Sequence, residues 1–362
     1  MATAQVFEVR ASPGKGYGVF ATRNIKKGTQ IMHDKAFFRT SGNGDPTNDE
    51  ILRALGRLSE EDQNRFMALE EGQRHESKVL RIFHNNCFAS DHKHGKAVYP
   101  NVSRFNHSCR SNAWHYNGRI IAKRNIKTGE EFTITYNEVS HQSLTASQRG
   151  ERTWQIWGFR CDCVACSPSD AQQLSDARRQ LISAILNRLD DREALKNSRA
   201  DWLKSERYTS HQPSSALTRT QRVEHNFLLA RLREAEELSP FSVISAYAGA
   251  AMSLAEYVNT HMSSPRFEDL LPVAPARYIH EWINTALQMA QRSFPHGDQC
   301  IVAAQKNYNN IHGHWWMSAA EQNLPASVFA VKMHLGTGTA RPEAFLTQAE
   351  FKTLMRQRLR QL

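Results

Sequence analysis

The sequence predicts an α+β protein, with a β-rich first half that helices interrupt and an α-helical second half. Short runs with strand-like composition lie between turn signals in residues 5–40 and 98–136. Apolar residues at helical spacing occupy about 46–84 and return further along the chain. We therefore expect two domains, residues 1–168 and 169–362. A chain of 362 residues with 40% hydrophobic content can build a core in each.

The first strands are separated by glycine turns. Turn signals stand at Ser12-Pro13-Gly14 and at Lys26-Lys27-Gly28. We expect strands at residues 6–9, 18–21, 30–32 and 36–38. Further turns at Asn117-Gly118 and Thr128-Gly129 indicate that strands resume after the helical interruption.

The second half shows the three-to-four residue spacing of amphipathic helices. Leu174, Ala177, Leu181, Ile185 and Leu189 mark the first of them. A polar stretch at 195–222 is predicted as a loop, and more helices are predicted at 223–238, 242–262, 275–293 and 343–361. We find no 34-residue self-similarity, so the sequence does not predict helical repeats.

The charge is moderately basic, with a formal net charge of +10 from 46 Lys and Arg against 36 Asp and Glu. A basic balance suits an acidic partner such as nucleic acid. The cations are spread along the chain without a block of five or six like charges, so direct nucleic-acid binding is open but not favoured.

No stretch approaches the roughly 18 consecutive apolar residues of a membrane helix, and the N-terminus lacks the pattern of a signal peptide. We therefore expect an intracellular protein without membrane partners. The cytoplasm and the nucleus both remain open, because no Lys and Arg cluster marks a nuclear signal.

Four of the six cysteines form a pattern typical of a metal site. Cys109 ends an Asn-His-Ser-Cys stretch, and Cys161, Cys163 and Cys166 form a CxCxxC motif downstream. Four thiolates suit one tetrahedral Zn²⁺. The other two, Cys87 and Cys300, are interpreted as free thiols that serve as small buried apolar groups.

Three further segments stand in a fixed order with these cysteines. Residues 14–20 read GKGYGVF, residues 99–109 read YPNVSRFNHSC, and residues 129–136 read GEEFTITY. Together with the CxCxxC tail, this order resembles the SET-domain lysine methyltransferases over roughly residues 5–168. It is most similar to the SET-and-MYND group and its fungal SET-protein relatives.

The resemblance implies a β-rich SET fold of small twisted sheets with a pseudoknot, a helical insertion at about 46–84 and a post-SET zinc motif at 157–168. The MYND zinc module of those relatives is missing, since no cysteine precedes Cys87. The helical second half corresponds to a C-terminal domain flanking a peptide groove.

The resemblance implies methyl transfer from S-adenosylmethionine to a lysine nitrogen, with S-adenosylhomocysteine as the product. It assigns Tyr136 to the reacting centre, where its hydroxyl orients the methyl group and the nitrogen. It assigns Lys15, Gly16 and Tyr17 to the methionine part of the cofactor, where glycine permits close backbone approach.

Other cofactor contacts are implied from the middle of the domain and from its end. Asn106 and His107 match contacts from the threaded Asn-His-Ser-Cys segment, and Ser103 matches a nearby one. Asn86 matches another asparagine that contacts the cofactor, with Asn85 as the alternative register.

Trp157 and Phe159 match an aromatic pair beside the adenine, although they could instead only pack the cysteine motif onto the sheet. Tryptophan replaces the tyrosine expected at the first of these two positions. Ser111 replaces a proline of the family pattern just before Asn112. The zinc ion, held by the four cysteines, is interpreted as a folding element that orders one wall of the lysine channel.

The sequence thus predicts a protein-lysine N-methyltransferase acting as a monomer on a protein or peptide lysine, with histone and other proteins both possible. One alternative is a SET scaffold that methylates or binds a small molecule. Another is a non-catalytic SET module that binds a protein.

Overall fold

The computed structural model describes residues 6–40, 44–75, 77–89, 95–136, 142–189, 219–262 and 273–313. The chain divides into two compact units. The first comprises the described residues of 1–141 and 146–172, and the second those of 142–145 and 173–362.

The first unit contains three small sheets. One has four strands in the order β1-β2-β10-β7, and the other two have the orders β3-β9-β8 and β4-β6-β5. The strands are β1 (Phe7–Ser12), β2 (Gly16–Ala21), β3 (Gln30–His33), β4 (Phe38–Arg39), β5 (Cys87–Ala89), β6 (Lys96–Val98), β7 (Asn106–His107), β8 (Ala113–Tyr116), β9 (Arg119–Ala122) and β10 (Glu131–Ile134). The prediction of small sheets interrupted by helices is confirmed.

The β1-β2 hairpin turns through two glycines in the left-handed region. Gly14 has φ +73° and Gly16 has φ +71°, which glycine adopts without a Cβ penalty. The two strands pair from Phe7 opposite Ala21 to Ser12 opposite Gly16. Strand β2 therefore begins at Gly16, two residues earlier than the sequence predicts.

The edge strand β7 is the one parallel member of the four-stranded sheet. Asn106 lies opposite Thr133 and His107 opposite Ile134 of β10, while β2 runs antiparallel on the other side of β10. The Asn-His-Ser-Cys segment is therefore fixed alongside the strand that leads to Tyr136.

Three helices form the insertion between β4 and β5. They are α1 (Asn48–Leu55), α2 (Glu60–Met67) and α3 (Lys78–Asn86). Thr47 and Glu50 form a capping box at the start of α1, which satisfies backbone N–H groups at the helix end. Phe66, Ile82 and Phe83 are fully buried and join these helices to β6 in one core.

A second core lies between the sheets. Its members include fully buried side chains from several strands and loops, among them Val19, Tyr99, Val102, Phe105, Ile120, Ile126, Phe132 and Ile134. Tyr136 packs against this core with part of its surface. The reacting centre implied by the sequence thus rests on a close-packed support.

The helices after Ala146 are α4 (Ala146–Trp157), α5 (Asp170–Leu189), α6 (Arg219–Ala235), α7 (Pro240–Met262), α8 (Val273–Ser293) and α9 (Gln299–His312). In the second unit α7 packs against α6 and α8, and α9 packs against α8. The predicted helical second half is confirmed. The helix predicted at 343–361 lies outside the described residues, as does most of the predicted loop at 195–222, although α6 already begins at Arg219.

Sequence analysis did not predict α4 and α9. The Asp298 side chain, accepting from the Cys300 backbone N–H at 2.8 Å, caps α9, so a local start signal was present.

Among the described helices, none combines the length and the apolar composition that crossing a membrane requires.

Candidate functional site

The four motif cysteines come together in space. The sulfur atoms of Cys109, Cys161, Cys163 and Cys166 all lie within 4.8 Å of one another. A tetrahedral zinc ion with Zn–S bonds of about 2.3 Å places its sulfurs roughly 3.8 Å apart. The donor set and its spacing therefore fit a closed structural zinc site, to which the segments after β7 and after α4 both contribute.

Two side chains from outside the motif contact these sulfurs. The ring nitrogen Nε2 of His107 lies 3.2 Å from the Cys109 sulfur. Arg149 of α4, fully buried, donates from Nη2 to the Cys166 sulfur at 3.4 Å and to the Ala165 carbonyl oxygen. A buried guanidinium beside thiolates balances part of their negative charge.

The cysteines influence one another's protonation. Hydrogen bonds from the neighbouring thiols, that of Cys109 first, hold the pKa of Cys163 and Cys166 below the usual range. Hydrogen bonds with Cys161, Cys163 and Cys166, together with burial, raise the pKa of Cys109. Part of the cluster is thus biased towards the thiolate form that metal binding requires.

Asn106 ties the threaded strand to the glycine-rich hairpin. Its side-chain Nδ2 donates to the backbone oxygen of Tyr17 at 3.0 Å and to Oε1 of Glu131 at 2.7 Å. Gly18 lies so close to both side chains that a Cβ there would overlap the Glu131 carboxylate and come within 3.0 Å of Nδ2. A side chain at position 18 would therefore push the Glu131 carboxylate away from the Asn106 amide.

Tyr136 is anchored twice on the threaded segment. Its hydroxyl donates to the Phe105 carbonyl oxygen at 2.8 Å, and its backbone N–H donates to Nδ1 of His107 at 3.1 Å. Burial, together with the Glu131 carboxylate, raises the pKa of the phenol, so the hydroxyl stays protonated. Because Nδ1 of His107 is an acceptor, the proton of the neutral ring lies on Nε2 and points to the Cys109 sulfur.

Four of the predicted site residues form one aromatic cluster. The ring of Tyr136 lies 5.2 Å from that of His107, 5.4 Å from that of Trp157 and 6.3 Å from that of Phe159. His107 and Phe159 are 5.7 Å apart. The tilted and edge-on arrangements are those that aromatic pairs prefer. Trp157 and Phe159 thus contact the Tyr136 region as well as leading into the cysteine motif.

The hairpin reaches the cysteine segment through Lys15. Its ammonium group pairs with the Asp162 carboxylate at 2.9 Å, between the first two cysteines of the motif. Burial opposes the charge, but the bond to Asp162 prevails and raises the pKa of Lys15. Tyr17 is 62% exposed, so the structure leaves its side chain open at the surface.

Asn86 and Ser103 are hydrogen-bonded to each other. The amide Nδ2 of Asn86 donates to the backbone oxygens of Glu70 and Ile82, both at 2.7 Å, and Ser103 donates to the Asn86 backbone oxygen at 3.3 Å. The amide donors of Asn86 are thus engaged within the protein. Asn85, in the neighbouring register, donates to the same Glu70 carbonyl oxygen at 3.2 Å.

Sequence analysis did not identify several residues of this site. Glu131, Arg149 and Asp162 each contact a predicted site residue or a cysteine. Ser111, in the place of the family's proline, shares hydrogen bonds with Thr135 at 3.0 Å and with Lys123 at 2.7 Å. Only Glu131 carried a usable signal, because it stands in the Gly-Glu-Glu motif.

The family model described as "SET domain" matches residues 16–137. The chain is 30% identical over 188 residues to "Histone-lysine N-methyltransferase set5" of Schizosaccharomyces pombe, which covers 49% of this chain and 56% of that protein. It is 34% identical over 98 residues to "Histone-lysine N-methyltransferase SMYD3" of Homo sapiens, covering 26% of this chain and 22% of that protein.

A solved structure from Plasmodium falciparum is also similar, at 19% sequence identity over 36% of this chain and 96% of its own. Its TM-score is 0.20.

The first unit of this protein carries a SET domain, which confirms the resemblance seen in the sequence. Its homologues include SET5-type and SMYD-type histone-lysine methyltransferases. The chain spans about half the length of the fission-yeast relative and less of the human one.

Proposed function

We propose that this protein is an S-adenosylmethionine-dependent protein-lysine N-methyltransferase. The observation that carries the proposal is the placement of Tyr136. Its hydroxyl is fixed on the Phe105 carbonyl of the threaded segment, and its ring lies against His107, Trp157 and Phe159. A phenol fixed among aromatic rings suits a reaction whose rate depends on the alignment of the lysine nitrogen with the methyl group.

The bound cofactor would supply an electrophilic methyl group on a sulfonium. Lys15, Gly16 and Tyr17 of the hairpin, with Asn106 and His107 of the threaded strand, would hold its methionine part. Ser103 and Asn86 would contribute from the neighbouring segment. Trp157 and Phe159 offer flat apolar surfaces for the adenine. Glycine at position 16 suits a close backbone approach there.

The phenol of Tyr136 can orient the target nitrogen. Because the hydroxyl proton is committed to the Phe105 carbonyl, the lone pairs of the phenol oxygen remain to accept an N–H of the lysine. A narrow apolar channel and the nearby sulfonium charge of the cofactor would both disfavour an ammonium ion. A lysine with a pKa of about 10.4 needs roughly 4 to 5 kcal/mol to be neutral at pH 7, and such surroundings reduce that cost.

The zinc ion would act on folding rather than on the reaction. Cys109 follows the threaded strand directly, while Cys161, Cys163 and Cys166 follow Trp157 and Phe159. One ion bound to all four sulfurs would lock the aromatic pair against Tyr136. Metal loss would then lower activity by disordering the wall of the site.

The substrate in this proposal is a lysine side chain of a protein, a histone being one candidate, and the protein acts within the cell as a monomer. The relatives named as histone-lysine methyltransferases support the substrate class. The reduced state of the cysteines that zinc binding needs agrees with an intracellular setting.

Titration calorimetry with S-adenosylmethionine and a labelling assay on lysine peptide arrays test the proposal together. We expect cofactor binding and methyl label that disappears in Tyr136→Phe. Tyr116→Phe, another tyrosine of the same unit, serves as the control and should keep the label. Cofactor binding without peptide labelling would favour a small-molecule substrate, and absence of cofactor binding would contradict the proposal.

A further inference from the structure

Two segments that lie far apart in the sequence repeat one another. Residues 21–29 read ATRNIKKGT and residues 122–130 read AKRNIKTGE. They share Ala, Arg, Asn, Ile, Lys and Gly at the same positions. Each segment follows a strand and turns at its glycine, Gly28 with φ +83° and Gly129 with φ +79°.

The structure pairs these repeats with each other. Ile25 and Ile126 form an antiparallel bridge, with backbone N–H···O distances of 2.8 and 2.9 Å. The side-chain oxygen of Asn24 accepts a backbone N–H of the opposite repeat at 2.9 Å, and that of Asn125 does the same, also at 2.9 Å. The reciprocal bonds give the pair a local two-fold relationship.

This pairing separates apolar from charged side chains. Ile25 and Ile126 are buried at 3% and 1% exposure. We call residues 21–29 and 122–130 the double-turn surface. It holds six cationic residues, namely Arg23, Lys26, Lys27, Lys123, Arg124 and Lys127, and one carboxylate, Glu130, which pairs with Arg124.

Four of these cations are exposed and carry no ion pair within the described structure. They are Arg23, Lys26, Lys27 and Lys127. Several other cations of the same unit have carboxylate partners, as in the pairs Arg10–Glu8, Arg65–Asp62, Arg81–Glu71, Lys96–Asp45 and Arg160–Glu151. The double-turn surface brings together four exposed cations that have no such partner among the described residues.

We propose that the double-turn surface binds the phosphate backbone of duplex DNA. This inference does not depend on the methyl transfer proposed above. It rests on the positive charge of the surface and on the Ile25–Ile126 bridge that brings its two segments together. Closely spaced cations from two crossing segments match an array of regularly repeated phosphates, and each contact releases a counterion. The asparagines and threonines between them are the polar residues that accompany phosphate contacts.

The composition disfavours other anionic partners. The apolar residues of both repeats are buried, among them Ile25 and Ile126, so none projects to enter a lipid bilayer. Neither repeat contains an aromatic residue on which the bases of a single strand could stack. A duplex, recognised through its outer phosphates, requires neither feature.

The charge could not be recognised from the sequence alone. Each repeat carries only three cations, so neither reaches a block of five or six like charges. The Ile25–Ile126 bridge brings the two halves together and doubles the local charge.

Fluorescence anisotropy of the full chain with a short labelled DNA duplex at several salt concentrations tests this proposal. The test variant carries Arg23→Gln, Lys26→Gln, Lys27→Gln and Lys127→Gln. We expect at least a tenfold loss of affinity at low salt. The slope of log K against log[salt] should become less steep by about 3 to 4, since each phosphate contact contributes about 0.9.

The control variant removes four exposed cations elsewhere in the same unit, with Lys35→Gln, Arg57→Gln, Arg74→Gln and Lys78→Gln. It should bind DNA as the wild type does. A second variant with Arg23→Lys, Lys26→Arg, Lys27→Arg and Lys127→Arg keeps the charge and should also bind normally.

Equal weakening of the test and control variants would overturn the proposal, and so would a test variant that binds like the wild type. Binding to phosphatidylserine vesicles but not to the duplex would assign the surface to a membrane instead, which also overturns it. Calorimetric titration with S-adenosylmethionine separates this inference from the methyl-transfer proposal, because the test variant should bind the cofactor normally whichever way the DNA result falls.

Discussion

The amide nitrogen of Asn106 lies 2.7 Å from a carboxylate oxygen of Glu131. The same nitrogen donates to the backbone oxygen of Tyr17, so both of its hydrogens are engaged. The orientation of the amide is thereby fixed, and its oxygen remains as the acceptor that the side chain can offer. Glu131 thus acts as a positioning residue for a predicted cofactor contact.

Replacing Glu131 by Gln should weaken cofactor binding without unfolding the protein. The change replaces the charged acceptor of the Asn106 amide with a neutral one, which weakens the hydrogen bond by about 1 kcal/mol. Titration calorimetry should therefore show an affinity for S-adenosylmethionine lower by roughly fivefold. Glu8→Gln removes an exposed carboxylate of β1 and should leave the affinity unchanged. Equal affinities for wild type and Glu131→Gln would show that the amide needs no such orientation.

Gly18→Ala should disturb the same contact by steric means. The new methyl group would overlap the Glu131 carboxylate and crowd the Asn106 amide, which must move apart. We expect a loss of cofactor affinity at least as large as that of Glu131→Gln, together with a lower Tm. Gly44→Ala is the matched control, because a Cβ there meets no atom within 4 Å. If Gly18→Ala bound the cofactor with wild-type affinity, the close packing of the hairpin on Glu131 would not contribute to cofactor binding.

Cys163→Ser should abolish stoichiometric zinc binding and destabilise the first unit. Three thiolates and a serine hydroxyl make a much weaker site, and loss of a structural metal belongs to the largest single-residue effects, above about 4 kcal/mol. Elemental analysis should find one zinc per wild-type chain and well under one per variant chain, with a lower Tm for the variant. Cys300→Ser, outside the cluster, should change neither value. Full stability of a metal-free wild-type chain would contradict the structural role.

Acid should destabilise the fold partly through His115. Burial lowers its pKa to about 3, and its Nε2 accepts the Gly118 backbone N–H at 3.0 Å, a bond that protonation would break. The unfolded chain takes up this proton below about pH 6.5, so it binds more protons than the folded chain between pH 3 and 6.5. The free energy of unfolding should therefore fall as pH decreases through that window, on the order of a few kcal/mol in total.

Denaturant unfolding at several pH values measures this contribution. In His115→Gln, which cannot titrate, the dependence on pH between 3 and 6.5 should flatten. His33→Gln, at an exposed position of β3, should keep the wild-type dependence. Parallel curves for wild type and His115→Gln would assign the acid sensitivity to other groups.

Much of the site could be predicted because its residues are clustered in short motifs. Asn106, His107 and Cys109 occupy one such stretch, and Tyr136 ends another, so a few local patterns in the right order indicated a SET domain. The helical second half followed from apolar spacing alone. These features depend on local sequence, which is where pattern analysis is strongest.

The remaining features depend on contacts between distant segments. Arg149 reaches the cysteine cluster from α4, Lys15 meets Asp162, and the double-turn surface exists only because Ile25 pairs with Ile126. For Asn86 a motif match predicts a cofactor contact, and the structure adds that its amide Nδ2 donates to two backbone oxygens, which the motif does not indicate. No local pattern contains such pairings, which tertiary packing alone decides.

The central claim is that Tyr136 stands at a centre that moves a methyl group from S-adenosylmethionine to a lysine nitrogen. Mass spectrometry of a lysine-containing protein substrate after incubation with enzyme and cofactor tests this claim most directly, with wild type and Tyr136→Phe compared at equal cofactor occupancy. We predict a methyl group on the lysine ε-nitrogen with the wild type and a loss of at least about a hundredfold in rate, roughly 3 kcal/mol, with Tyr136→Phe. Equal methylation by both proteins, or label on an atom other than a lysine nitrogen, would contradict it.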